Sequence, residues 1–168
     1  MYIITIDGRA AAGKTTLAVR LAAAFNSSVV HMDDFFLPPE LCSPDRLAEP
    51  GGNIHHERFA EEVLPHIKGS VPFSYNIFDC ATGNFSGKRE ISNTPVLIVE
   101  GSYSCHPIFG NYMDLRIFCD ISTEIQLERI IARNGETAAK TFAQKWIPLE
   151  ENYFSEYKIA EMANIIAH

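Results

Sequence analysis

The sequence predicts an α/β fold: a mostly parallel sheet with helices on both faces, in three layers. Three observations predict it. Short β-branched and apolar runs alternate with helical stripes along the chain. The runs are continuously apolar, which is the pattern of strands covered on both sides. Each stops at its carboxyl end in a glycine or an acidic residue, at Gly8, Asp33, Glu100 and Asp120, and open α/β sheets hold ligands outside the carboxyl ends of their strands. At 168 residues, 46% hydrophobic and 21% charged, the chain suits one domain, 1–168, with a core of its own.

Residues 2–7 form a first buried strand that ends at Gly8. From 14 to 25, Leu17, Leu21 and Phe25 recur at i, i+4 and i+8 on an alanine-rich background, a helix stripe. Residues 29–32 are a second strand, stopped by Asp33-Asp34. Pro38, Pro39, Pro44 and Pro50 with Gly51-Gly52 break 35–53 too often for a long helix, whereas 57–67 stacks Phe59, Val63 and Ile67 as one helix, expected to cap the site from one side. Residues 71–92 carry Phe73, Tyr75, Phe78 and Phe85 around Gly83-Asn84 and Gly87-Lys88, a hairpin excursion. Residues 95–99 and 115–119 are two more buried strands. Residues 122–134 read as a helix opened by Ser122 or Asp120 and stopped by Gly135, with Arg129 and Arg133 four apart on one face. Residues 141–163 give a second helical stretch interrupted at Pro148, and 164–167 a short final strand.

Fourteen Lys and Arg against 21 Asp and Glu leave a net charge of −7 and a pI near 5.3, so no basic field favours a nucleic-acid backbone or an anionic membrane. Apolar stretches fall well short of the roughly 18–20 residues that span a bilayer, and no signal-type segment opens the chain, so a cytoplasmic protein is expected. Cys42, Cys80, Cys105 and Cys119 form no Cys-x-x-Cys pair and read as free buried thiols; the six histidines show no metal-ligand spacing.

The sharpest signal is Gly8-Arg9-Ala10-Ala11-Ala12-Gly13-Lys14-Thr15. It fits G-x-x-x-x-G-K-[ST] at every fixed position, directly after a strand and before a helix. Glycines at both ends let the loop curl with its N–H groups inward, and the helix N-terminus adds partial positive charge, so a polyphosphate fits. Lys14 would reach the β- and γ-phosphates and Thr15 would offer its hydroxyl to Mg²⁺. Gly8, Ala10, Ala11, Ala12, Gly13, Lys14, Thr15 and Thr16 are the candidate nucleotide-binding residues. The bland alternative is an alanine-rich turn with a surface lysine. A guanine-reading N-K-x-D is absent, no D-x-x-G follows the 95–99 strand, and the chain is short for an oligomeric ATPase, so switch GTPases and ATPase machines are disfavoured.

The second strand instead ends in His31-Met32-Asp33-Asp34-Phe35-Phe36, which sets a carboxylate beside the loop where an acceptor hydroxyl could be oriented or deprotonated. Asp-Asp-Phe-Phe-x-x-Pro after such a loop resembles the uridine kinase, nicotinamide riboside kinase and phosphoribulokinase-like group of small P-loop kinases, its bacterial uridine-kinase-like members above all. The likeness runs on through Val99-Glu100-Gly101, residues 129–135, and Trp146 to Glu150 with Tyr153-Phe154. It implies a three-layer P-loop NTPase fold with five parallel strands in the order 2-3-1-4-5, an acceptor-binding insertion near 35–93 and a small lid near 133–146. It also implies ATP as donor with Mg²⁺, Asp33 as catalytic base, Lys14, Arg129 and Arg133 around the transferring phosphoryl group, and Thr15 and Glu100 at the metal. On the acceptor side His55 stands where nucleoside kinases of the group hold ribose with an aspartate, and Tyr75 and Phe78 match aromatics set against a base.

Each assignment has a structural alternative: a strand terminator for Asp33 or Asp34, a solvated helix face for the two arginines, a loop histidine for His55, a satellite core for Tyr75 and Phe78. The expected activity is phosphoryl transfer to a small-molecule hydroxyl, foremost the 5′-hydroxyl of uridine or cytidine, with a homo-oligomer possible and no nucleic-acid or membrane partner. Open alternatives are nicotinamide riboside, pantothenate or a sugar phosphate as acceptor, and a non-catalytic ATP-binding regulatory module.

Overall fold

The computed structural model of the chain describes residues 1–67, 69 and 72–168. It runs through β1 (Tyr2–Gly8), α1 (Lys14–Phe25) and β2 (Ser28–His31), then an excursion with α2 (Pro44–Ala48), α3 (His56–Glu62), α4 (Leu64–Ile67) and the antiparallel pair β3 (Phe73–Asp79) and β4 (Asn84–Ile91). It returns through β5 (Val96–Glu100) and β6 (Leu115–Cys119), continues into α5 (Thr123–Thr141) and α6 (Ile147–Glu156), and ends on β7 (Ile165–Ala167). The five other strands lie as one parallel sheet in the order β2-β5-β1-β6-β7, which is 2-3-1-4-5 when the two hairpin strands are left out of the count.

The period-2 alternation of the strands splits the core between the two faces. Ile4, Ile6, Ile98 and Ile117 pack with Ala18 of α1, while Ile3, Leu97, Val99 and Phe118 pack with Phe35, Phe59, Tyr153 and Phe154. The register also sets the site: His31 pairs with Glu100, Glu100 with Ile6, and Gly8 with Cys119, so the residues that follow these strands share one edge of the sheet.

Several sequence expectations need correction. Ala18 is the buried residue of α1, and Phe25, the last member of the predicted stripe, is exposed. The single helix expected over 57–67 is two, because Pro65 has no N–H for a bond to the preceding turn and the chain breaks at Val63 (φ −120, ψ −53). Phe59, Val63 and Ile67 are fully buried in the core, so these helices pack behind the cleft rather than over it. The hairpin forms, with a bulge where Ile77 faces Gly87 and Phe78 faces Phe85; Val71, its expected first residue, lies outside the described residues. Gly135 breaks α5 without ending it, holding φ 82 and ψ 166 between two helical arms. A π-helical turn, Phe142–Trp146, carries the chain from α5 into α6 with helical φ/ψ at both junctions, and Pro148 lies in the first turn of α6, so the helical ladder is irregular before Pro148 rather than broken at it. Of the thiols, Cys105 and Cys119 are buried, Cys42 is half-buried and Cys80 is exposed. No helix among the described residues is long and apolar enough to cross a membrane.

Candidate active site

The loop between β1 and α1 borders a cleft of about 770 Å³. Gly8 is required at its start, because a Cβ there would lie 2.1 Å from the Cys119 carbonyl oxygen across the β1–β6 contact. Lys14 Nζ donates to the carbonyls of Gly8 (2.7 Å) and Arg9 (2.8 Å), arching over the loop. Ala10, Ala11, Gly13, Lys14, Thr15 and Thr16 all border the cleft. Gly8 and Ala12 do not: Gly8 is shut against β6, and Ala12 packs on the core cluster under α1.

Across from the loop, the register puts Glu100 beside His31. Glu100 is 4% exposed, its Oε1 lies 2.6 Å from His31 Nδ1, and both its oxygens lie 3.3 Å from the Thr15 hydroxyl. A hydroxyl and a carboxylate converging at the mouth of a phosphate-type loop form a hard-oxygen set suited to Mg²⁺.

A 3₁₀ turn, Met32–Phe35, follows β2 and sends its two aspartates in opposite directions. Asp34 is buried, and its Oδ2 accepts from the Tyr75 hydroxyl and from Arg89 Nε, each at 2.9 Å. Asp33 faces the cleft, reachable by solvent yet ringed by protein. Its pKa is raised above the ordinary carboxylate value by desolvation and by the nearby Glu100, against the pull of Lys14 and His31.

The structure brings Phe78 to the cleft with Phe36, Leu37, Leu47 and the thiols of Cys42 and Cys80. It does not bring His55 or Tyr75 there. His55 is the N-cap of α3, its Nδ1 lying 3.4 Å from the Arg58 N–H and 3.2 Å from Glu57 Oε2, so the ring is engaged at the helix end. Tyr75 is 1% exposed; its hydroxyl accepts the His31 N–H at 3.1 Å and donates to Asp34. Asn53 also borders the cleft; it is 5% exposed, and neither its Oδ1 nor its Nδ2 has a hydrogen-bond partner among the described residues although the Tyr103 hydroxyl is near. After Gly51-Gly52 an asparagine reads as a turn residue, so the sequence carries no signal for it.

Arg129 and Arg133 both reach the cleft from α5, just before the break at Gly135. Arg129 Nη1 donates to the Ala11 carbonyl (3.2 Å) and Arg133 Nε to Asn134 Oδ1 (2.7 Å). A third cation from this side, Lys145, also borders the cleft, with Nζ 4.4 Å from the Trp146 ring centroid. Arg9 pairs with Asp120 at 2.8 Å and with Glu151, fastening the loop to the start of α6.

No protein-family model matches the chain. A uridine kinase from Chlamydia pneumoniae is 31% identical over an alignment of 150 positions that covers 79% of this chain and 62% of that protein; the chain thus spans less than two thirds of that relative's length. Among solved structures, a protein described as a possible uridine kinase from Bacillus stearothermophilus superposes with a TM-score of 0.74 at 19% identity, over 99% of this chain and 88% of that one. The chain is similar to a uridine kinase in sequence, and it shares the fold of that solved structure. A protein described as a fructose transport system kinase, from Silicibacter sp. TM1040, shares this fold with a TM-score of 0.76 at 21% identity, over 99% and 89% of the two chains. The phosphoribulokinase of Rhodobacter spheroides shares it more distantly, at 0.57 and 14%, over 92% and 64%.

Proposed function

We propose that the chain is an ATP- and Mg²⁺-dependent kinase that moves the γ-phosphoryl group to the hydroxyl of a small molecule, foremost the 5′-hydroxyl of a pyrimidine nucleoside. The observation that carries the reading is Asp33: a carboxyl open to the cleft, opposite the phosphate loop, with its pKa raised above the ordinary carboxylate value by desolvation, which makes it a stronger base. The acceptor oxygen forms its bond to the γ-phosphorus as the bridge to the β-phosphate breaks, and the hydroxyl proton passes to Asp33. Lys14 and the loop N–H groups hold the phosphates, and Arg129, Arg133 and Lys145 supply positive charge from the far wall. Thr15 and Glu100 would hold Mg²⁺, which when bound neutralises phosphate charge. Residues 35–93 supply the acceptor wall and 133–146 the lid.

The acceptor wall is largely apolar, and the cations that border the cleft among the described residues, Lys14, Arg129, Arg133 and Lys145, come from the loop and from α5 and the turn after it. Arg89 is committed to Asp34, and Arg46 to Glu57 and the carbonyls of Gly52 and Ile54. These features favour an uncharged acceptor with a flat apolar body over a sugar phosphate.

The test is ADP release from Mg²⁺-ATP across nucleosides, nicotinamide riboside, pantothenate and sugar phosphates. Turnover is expected with a pyrimidine nucleoside and is expected to fall at least a hundredfold in Asp33→Asn, with ATP binding retained. Tight ATP binding without turnover on any acceptor would replace this reading with a regulatory nucleotide-binding module.

A further inference from the structure

Ala11, in the middle of the phosphate loop, holds φ 59, a left-handed conformation that an L-residue resists and glycine enters freely. The residue just before it is held through both of its backbone polar groups, which lie in successive peptide units. The Ala10 N–H donates to Glu150 Oε2 at 3.0 Å, and the Ala10 carbonyl accepts from Gln126 Nε2 at 3.1 Å. Gln126 comes from α5 and Glu150 from α6, the helices on either side of 133–146. Glu150 is itself held, its Oε1 accepting from the Ser102 hydroxyl at 2.7 Å.

Both side chains are hard to explain by packing. Gln126 is 1% exposed and its Oε1 has no partner among the described residues, so a buried polar group is kept for one bond to the loop. Glu150 is a buried carboxylate bordering a cleft that otherwise gathers cations against phosphate, where its charge opposes the ligand. A bond from each to the same strained segment accounts for both.

We propose that Gln126 and Glu150 are positioning residues for the nucleotide: together they clamp Ala10 through its N–H and its carbonyl and so, with the Ala12 N–H bond to the Arg9 carbonyl that closes the turn (3.1 Å), hold Ala11 in its left-handed conformation, which gives the loop its concave shape toward the phosphates. Without the clamp Ala11 relaxes to negative φ and the loop loses its concave shape. The inference rests on the reading of this loop as the ATP site and not on the identity of the acceptor.

The experiment is calorimetric titration of Mg²⁺ with the β,γ-imido analogue of ATP into wild type, Gln126→Leu, Glu150→Ala and Glu150→Gln, each with and without Ala11→Gly, with the melting temperature of every variant recorded. Gln126→Leu and Glu150→Ala should bind roughly 5- to 30-fold more weakly, the population factor set by the left-handed penalty. Ala11→Gly should return affinity to within about threefold of wild type without restoring any lost melting temperature, since glycine needs no clamp to hold φ near 60°. Glu150→Gln, which keeps an acceptor oxygen for the Ala10 N–H, should bind as well as wild type or better. Analogue binding within twofold of wild type in folded Gln126→Leu, or failure of Ala11→Gly to restore it, would overturn the proposal; the Gln126 arm decides alone if Glu150→Ala does not fold. No binding by wild type would overturn the donor reading as well, whereas sound binding with no acceptor turned over would strike the proposed function and leave the clamp standing.

Discussion

Asp33 and Asp34 are adjacent in the chain and do different work because a 3₁₀ turn points them apart. Asp34 closes a buried network, accepting from Tyr75, whose hydroxyl also takes the His31 N–H, and from Arg89 on the neighbouring strand of the hairpin. It ties the β3–β4 hairpin to the end of β2. Asp34→Asn keeps the shape but removes the charge that holds Arg89 and leaves a donor facing donors. It is expected to cost about 1–3 kcal/mol in urea unfolding, since the group is buried and charge-assisted. Asp33→Asn, facing the cleft, should leave the same unfolding midpoint nearly unmoved while turnover collapses. Equal losses of stability in the two variants would refute this division of labour.

At the scale of elements, Gly135 breaks α5 inside the segment proposed as the lid, and is proposed as its hinge. Its φ 82 and ψ 166 fall in a region that is essentially glycine's own, and nothing lies within 4 Å of where a Cβ would stand. A substitution there meets conformational strain and no clash. Gly135→Ala should relax the break into helix, because alanine has the highest helix propensity, and join the two arms of α5. Helical ellipticity and melting temperature should hold or rise while kcat falls about tenfold, as Arg133 and Lys145 lose their common approach to the cleft. Unchanged turnover would show that the break carries no lid motion. The sequence made Gly135 legible as a stop but not as a hinge, since the helix that resumes beyond it has a polar first turn with no stripe of its own. The break at Val63 was hidden for the opposite reason: Phe59, Val63 and Ile67 keep helical spacing across it, and only Pro65 marks it.

For the whole molecule, what was legible followed from local pattern: strands from apolar runs, the phosphate loop from its motif, the carboxylates from their places at strand ends. What was not legible depends on contacts far apart in the chain. Tyr75 looks like a base-stacking group until Asp34 and His31 claim its hydroxyl, and Asp7 looks like any strand end until the fold closes on it. Asp7 is fully buried, its Oδ1 accepting from the Gly8 and Tyr103 N–H groups and its Oδ2 from the Cys105 N–H and the Tyr153 hydroxyl, so one carboxylate joins β1, the turn after β5 and α6. Burial outweighs these four donors and pushes its pKa up to about 6 from 3.8. Because the folded value is the higher, the native state binds more protons than the unfolded chain between those two values, and stability from this group falls as pH rises through that window. The size is of order 3 kcal/mol, fully expressed above about pH 6. Glu57 acts in the opposite sense: its pKa is lowered to about 2 by Arg46 against the opposing pull of desolvation, so its contribution is present above 4.5 and lost as pH falls toward 2, and exposure of its side chain keeps it small. His56 and His106, whose pKa values desolvation lowers from 6.5, act against Asp7 as pH rises, so the Asp7 effect is read as the difference in urea unfolding free energy between wild type and Asp7→Asn. That difference should decline from pH 4 to about 6, although the variant is weaker throughout because its amide meets N–H donors. A difference that rises steadily from pH 4 to 7 would mean that the four donors outweigh burial and that Asp7 is held ionised in the native core.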